Sequence, residues 1–199
     1  MELAGTYSRG YMSNIGTALT GKILCANGVG NSPSYRATPL ISTAGIMTNS
    51  SQPAFSLKLS GNVGAVTGDG TQYQILYDTV TFDQGSAYNS STHNYVFPVA
   101  GIYQINILYF VYTSSGSATS TSVLGYAYIN GTTNLRLIDA NPLSLGLTVN
   151  SEFMASASFM YKAAVNDTMG VFIQLSAGTK NIGVAGGAES CIFSGFLVA

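Results

Sequence analysis

Residues 16–22 read GTALTGK, the first seven positions of the loop that cradles phosphates with its backbone N–H groups. The eighth position should be Ser or Thr to ligate magnesium, and here it is Ile23. Such a loop also belongs between a strand and a helix, and no helix is predicted, so the match is a decoy. His93 is the only histidine, and a Ser or Cys nucleophile needs a base beside it. It lies in the polar stretch 89–94 just before a strand, which predicts a solvated loop histidine. Neither Cys25 nor Cys191 has a motif that would place it beside His93. One His and two separated Cys do not make a tetrahedral zinc set. They give no disulfide framework either, and buried free thiols are expected. The chain has no Gly-x-Ser-x-Gly elbow and no His-Glu-x-x-His helix. Enzymatic chemistry is not expected.

The carboxylates are the remaining chemistry. Asp69, Asp78, Asp83, Asp139 and Asp167 fall in predicted loops or strand edges. None has the dense spacing of a calcium loop, and each is expected to cap a turn or face solvent. No metal site and no cofactor are assigned. The seven basic residues, Arg9, Lys22, Arg36, Lys58, Arg136, Lys162 and Lys180, are scattered. A phosphate-backbone binder needs clustered cations, so nucleic acid is not an expected partner.

The elements that must position these residues are strands. Segments of period two recur between clusters of Gly, Asn, Ser and Thr, the pattern of an all-β sandwich or barrel. Phe55, Leu57 and Leu59 alternate with Ser56, Lys58 and Ser60. Leu124, Tyr126 and Tyr128 lead into Asn130-Gly131, a strong hairpin signal. Asn166-Asp167 turns the chain into Val171, Ile173 and Leu175. In residues 95–112, YVFPVAGIYQINILYFVY, the face Tyr103, Ile105, Ile107, Tyr109, Val111 opposes Gln104 and Asn106, then Leu108, Phe110 and Tyr112. A second strand has Phe153, Ala155, Ala157, Phe159 and Tyr161 on one face, with Met154, Ser156, Ser158 and Met160 on the other. Strands apolar on two faces need a second covering partner. Composition agrees: 46% of residues are hydrophobic and 8% charged, against about 25% charged in an ordinary domain. No apolar run reaches the roughly 20 residues of a membrane helix, so membrane insertion is not expected and assembly is.

Residues 75–103, ILYDTVTFDQGSAYNSSTHNYVFPVAGIY, resemble the signature of the C1q/TNF-like domain. The matching positions are Phe82, Tyr88, Asn89, Phe97, Pro98, Gly101 and Tyr103. Ala54, Phe55 and Ser56 resemble its opening, and Phe193, Ser194, Gly195 and Phe196 its closing strand. Phe97 stands where many members have Cys, and Asn94 where Gly is usual, which suggests a distant branch. The resemblance covers about residues 53–199 and implies an all-β C1q/TNF-like jelly-roll β-sandwich, assembled as a homotrimer about an apolar threefold interface. It also brings calcium into view, since C1q-like heads often bind that ion near the axis, though no motif supports it here. Expected core or trimer-interface residues are Phe97, Tyr103, Ile105, Ile107, Tyr109, Phe159, Phe193, Gly195 and Phe196. Tyr103, Tyr126 and Tyr128 are expected to line the core and interface with hydroxyls at the rim. Exposed loops 114–122 and 140–144 are the expected receptor contacts, through Ser114, Ser115, Ser117, Thr119, Thr121, Asn141 and Leu143. The sequons at Asn49, Asn89, Asn130 and Asn166 read as chance occurrences in an Asn- and Ser-rich chain.

Residues 1–53 differ. The stretch 16–35 resembles one unit of a phage or viral fibre stalk. Residues 22–26 can form a strand, Asn27-Gly28 a turn, and Pro33 an extended exit. A lone hairpin is marginal in water, and residues 38–52 read as a linker. The expected domains are therefore a stalk or anchor at 1–53 and a head at 54–199. The N-terminal residues lack a basic-then-apolar secretory pattern, which predicts another route or a processed, virion-assembled chain. These readings predict a non-enzymatic virion-surface spike, fibre head or capsid decoration protein, extracellular in location. It would attach to other virion proteins through residues 1–53 and meet a host glycan or cell-surface protein. A secreted C1q-like binding module of a cellular organism and a purely particle-stabilising decoration protein are the alternatives.

Overall fold

A computed structural model describes residues 52–117, 119–142, 152–187 and 190–199, with the backbone of 22–25, 34–37, 40–41 and 47–48. The chain divides into two units, 1–50 and 51–199. In the first, β1 (Lys22–Cys25) pairs antiparallel with β2 (Ser34–Ala37), and β3 (Leu40–Ile41) with β4 (Met47–Thr48). The expected strand at 22–26 is present. The segment after Pro33 is no free exit, because it returns as the partner strand. The rest of the proposed stalk lies outside the described residues.

The second unit is all strand: β5 (Ala54–Lys58), β6 (Val63–Thr67), β7 (Asp69–Gln74), β8 (Thr79–Gln84), β9 (Tyr88–Asn89) and β10 (Asn94–Val96) come first. Then follow β11 (Gly101–Thr113), β12 (Ser122–Ile129), β13 (Thr133–Ala140), β14 (Phe153–Ala163), β15 (Thr168–Ser176), β16 (Ile182–Ala185) and β17 (Ile192–Leu197). The larger sheet runs β6-β16-β11-β17-β5-β8, with β14 on the other edge of β11. The smaller runs β13-β12-β15-β10-β9, and β7 joins β15 through Ile75 N–H donating to the Val171 carbonyl at 2.9 Å. All named strand pairs are antiparallel, and the two sheets face each other as a jelly-roll sandwich.

Period-two burial explains the layers. Side chains alternate across a strand, so Tyr103, Ile105, Ile107, Tyr109 and Val111 of β11 all turn inward and are buried. Phe55, Leu57 and Phe193 join them from β5 and β17, and Met169, Val171, Ile173 and Leu175 meet them from β15. An aromatic seam runs through this core. Phe55 stacks on Tyr95 with centroids 3.7 Å apart, Tyr95 meets Phe97 edge-on at 5.3 Å, and Phe97 meets Tyr103 at 4.7 Å.

One expected face is reversed. β12 buries Val123, Gly125, Ala127 and Ile129, so Tyr126 and Tyr128 point away from the core. The reason is across the sandwich: a Cβ at Gly125 would come 2.6 Å from the Tyr109 hydroxyl. The small residues of β12 leave room for the large ones of β11, and the tyrosines take the outer side.

Gly195 marks a second close approach. A Cβ there would lie 2.8 Å from the Gln104 carbonyl oxygen and from Ile105 Cδ1, and 2.9 Å from Phe55 Cε1. The backbone oxygen cannot give way, and Phe55 is fixed by its stack on Tyr95. Gly195→Val should therefore cost about 1–3 kcal/mol or more in overpacking and yield aggregated protein. Thermal unfolding of the purified variant checks this; an unchanged melting temperature would show that β17 does not pack this closely.

Candidate functional site

The sequence-predicted chemistry disperses in the fold. His93 is not a solvated loop residue: it is half-buried at φ 54°. Its Nδ1 lies 3.1 Å from the Tyr88 hydroxyl and 3.2 Å from the Tyr77 carbonyl. Cys191 is a free, buried thiol, and burial pushes it up to about 12, away from thiolate reactivity. The thiol of Cys25 and the phosphate-loop decoy lie outside the described residues.

Each carboxylate closes local structure. Asp69 accepts from the Thr71 N–H at 2.9 Å. Asp78 takes the Ser60 N–H at 2.8 Å and its hydroxyl at 2.6 Å. Asp83 holds the Tyr88 N–H at 2.8 Å, and Asp139 pairs with Arg136 at 3.1 Å. Among the described residues no three His, Cys, Asp or Glu gather as a metal group.

The β11–β12 loop is pinned rather than free. Ser114 Oγ accepts from the Ala65 N–H and donates to the Asn181 carbonyl, both at 2.9 Å. Asn181, itself buried, donates its side-chain amide to the Ser115 and Ser117 carbonyls at 3.2 and 3.3 Å. Thr121 donates to the Ser176 carbonyl at 3.2 Å. Ser115, Ser117, Thr119 and Thr121 face solvent, whereas Ser120, expected with them, is fully buried. Asn141 is exposed beside a buried Pro142, and Leu143 lies outside the described residues.

The expected core or interface residues divide between two places. Phe97, Tyr103, Ile105, Ile107, Tyr109 and Phe193 fill the interior at 2% exposure or less, and Gly195 is buried on β17. Phe159 is half-buried, while Phe196 is 46% exposed on the outer face of the larger sheet. Register puts Gln84, Ala54, Phe196, Gln104 and Met160 in one row across five strands of that face. The next row is Phe82, Ser56, Ser194, Asn106 and Ser158. Met160 is 66% exposed, Met154 59% and Phe82 49%, and Val198 and Ile102 are also exposed. Met154 and Met160 are the second face expected from the sequence and Phe82 is one of the family-matching positions, while Val198 and Ile102 were not singled out. The signal of the two methionines was the second apolar face of β14, where they alternate with Phe153 and Phe159.

Within this face three polar side chains bond to one another. Gln104 donates its amide to Ser158 Oγ at 2.9 Å, and Ser158 donates to Asn106 Oδ1 at 2.8 Å. Beside them lies a shallow hollow of about 320 Å³, lined by Asn106, Leu108, Ser156, Ser158, Ile192 and Ser194.

Comparison with known proteins decides the family. The C1q domain family model matches residues 54–198. The chain belongs to the C1q domain family. No curated protein matches it. Among solved structures it is similar to the globular domain of zebrafish complement 1qA protein, at 17% identity and TM-score 0.47, over 74% of this chain and 98% of that one. It is also similar to murine APRIL at 9% identity and TM-score 0.48, over 74% and 99%. Eiger TNF from S. frugiperda aligns at 13% identity and TM-score 0.50, over 74% and 92%. At these identities the likeness is one of fold alone. C1q-type domains are generally non-enzymatic binding modules, and the trimer is their typical state.

Asp167 supplies a test of how the loops are held. It accepts from Asn130 at 2.9 Å, from the Ala164 N–H at 2.8 Å and from the Tyr161 hydroxyl at 2.9 Å. The Asn130 bond first, then that of Ala164, hold its carboxyl below the usual range, against a smaller opposing effect of burial. A depressed folded value means that the stabilisation is complete above the unfolded value of about 4 and is lost as pH falls through the folded one. Asp167→Asn should therefore melt lower than the parent at pH 7, and the two melting temperatures should converge in acid. A gap that persists unchanged at low pH would show that the carboxylate's charge contributes nothing.

Proposed function

We propose that this chain is a non-enzymatic, homotrimeric recognition protein of a virion surface. Residues 1–53 attach it to other virion proteins, and the C1q-type head meets a glycan or protein on the host cell. The observation that carries the assembly is the bare outer face of the larger sheet. Soluble monomers rarely expose contiguous apolar patches of this kind, and obligate interfaces resemble a domain core cut in half. The pre-formed Gln104–Ser158–Asn106 bonds support burial of the same face, because polar groups already bonded to one another lose less on leaving water than unpaired ones. The hollow beside them offers room for a side chain of a neighbouring copy.

The virion-surface reading is supported by the residue pattern of 16–35 and by the short β1–β2 pairing, which is marginal without a partner. The receptor contacts proposed are Ser115, Ser117, Thr119, Thr121 and Asn141, with Ser114 holding the loop from beneath and Leu143 next in sequence.

Two outcomes test this reading. Met160→Glu combined with Phe196→Glu places two like charges on each copy of the face and should reduce the assembled mass to that of one 20.7 kDa chain. An undiminished trimer would mean that another surface assembles it. Separately, a chain beginning at Pro53 should fold and trimerise, keep cell binding, and fail to join particles. Unfolding of that chain, or its recovery on particles, would contradict the division of roles.

A further inference from the structure

The outer face of the smaller sheet has a different chemistry from that of the larger one. Register brings Tyr126 opposite Phe172 and Arg136, and Tyr128 opposite Gly170 and Asn134. The rings form a cluster: Tyr128 meets Phe172 edge-on at 4.8 Å and tilts toward Tyr126 at 6.3 Å. Tyr128 and Phe172 are each half-exposed, while Tyr126 is buried beneath its neighbours. Two amides converge on the Tyr128 hydroxyl from opposite flanks, Gln72 from β7 at 3.1 Å and Asn134 from β13 at 3.3 Å. A third, Gln174, is fixed between the Tyr126 hydroxyl and the Gly70 carbonyl.

We propose that this face binds a neutral oligosaccharide, with Tyr128 and Phe172 as stacking rings and Gln72 and Asn134 as hydroxyl-binding amides. The Tyr128 hydroxyl accepts two bonds and keeps its own proton to donate. Gln72 and Asn134 are exposed, and each retains a carbonyl oxygen and a second N–H. A sugar hydroxyl is both donor and acceptor, and this set offers both within one ring's breadth. The C–H face of a pyranose is apolar and fits a half-exposed aromatic ring, a group whose body is apolar and whose tip is polar.

Charge selects among sugars. Arg136 borders the cluster on the edge strand, but its guanidinium is paired with Asp139 at 3.1 Å. The cluster itself is built of neutral side chains, which complements a neutral glycan and offers an acidic one no unpaired cation. The contrast with the larger sheet argues against a protein-sized apolar partner: there methionine and phenylalanine stand bare, whereas here the rings are half-covered and framed by amides. Because the two faces belong to opposite sheets, this proposal does not depend on the assembly proposed above.

The test uses the full chain with maltotriose, cellotriose, diacetylchitobiose and lactose as neutral probes, and sialyllactose as the charged one. Saturation-transfer NMR and titration calorimetry should detect millimolar or tighter binding of at least one neutral probe. Tyr128→Ala and Phe172→Ala should each weaken it about tenfold or more, as loss of an anchoring ring does. Gln72→Ala and Asn134→Ala alter only exposed side chains and should weaken it severalfold with melting temperature and assembled mass unchanged. The proposal is overturned if no neutral probe binds, if only sialyllactose binds, or if all four variants bind as the parent does. It is equally overturned if the Phe172 variant changes the assembled mass, because a second copy of the chain would then occupy the face.

Discussion

A β-strand has two faces, and in β11 and β14 both are largely apolar. The rest of the structure depends on that constraint. The inward faces are satisfied within the chain, where Tyr103 to Val111 pack through the aromatic seam against the opposite sheet. The outward faces are not. Met154, Met160, Ile102 and Phe196 stand exposed on the outer face of the larger sheet. The proposed association of copies resolves the mismatch, and it also accounts for a chain of 199 residues with eight acidic and seven basic side chains. Surface that is covered needs few charges.

The outer faces of the two sheets differ in chemistry. The larger sheet presents a face that fits the proposed burial against copies of itself, since its apolar side chains are bare and Gln104, Ser158 and Asn106 at its centre bond to one another. The smaller sheet presents rings that are partly covered and amides that are partly committed. The loops at the Ser114 end are held by Asn181 beneath them, so the exposed hydroxyls above sit on a fixed base. A scaffold that fixes its loops and faces while leaving their tips in water is what recognition requires.

Much of this fold was legible because its signals are local. Phe55, Leu57 and Leu59, or Tyr103 through Val111, alternate so regularly that strand and buried face follow from the residues alone. The closing Phe193–Phe196 string carried its Gly195 as a visible mark of close packing. What failed depended on partners distant in sequence. Tyr126 and Tyr128 were expected to line the core and interface, and they lie on the side of β12 away from the core. Their strand faces Tyr109, and only Gly125 and Ala127 leave room for it. Ser120 read as exposed because its neighbours are polar, yet the loop folds it inward. His93 read as solvated, and it is held by a tyrosine hydroxyl and a carbonyl from outside its loop. The outward methionines of β14 were legible as a pattern, but their exposure became plain only when β14 proved to be an edge strand.

The most direct measurement is the mass of the intact chain in solution. Multi-angle light scattering at micromolar concentration should give three times the 20.7 kDa chain mass, unchanged on dilution across that range. A folded species with the mass of a single chain would contradict the account, because the outer face of the larger sheet would then be stable in water uncovered.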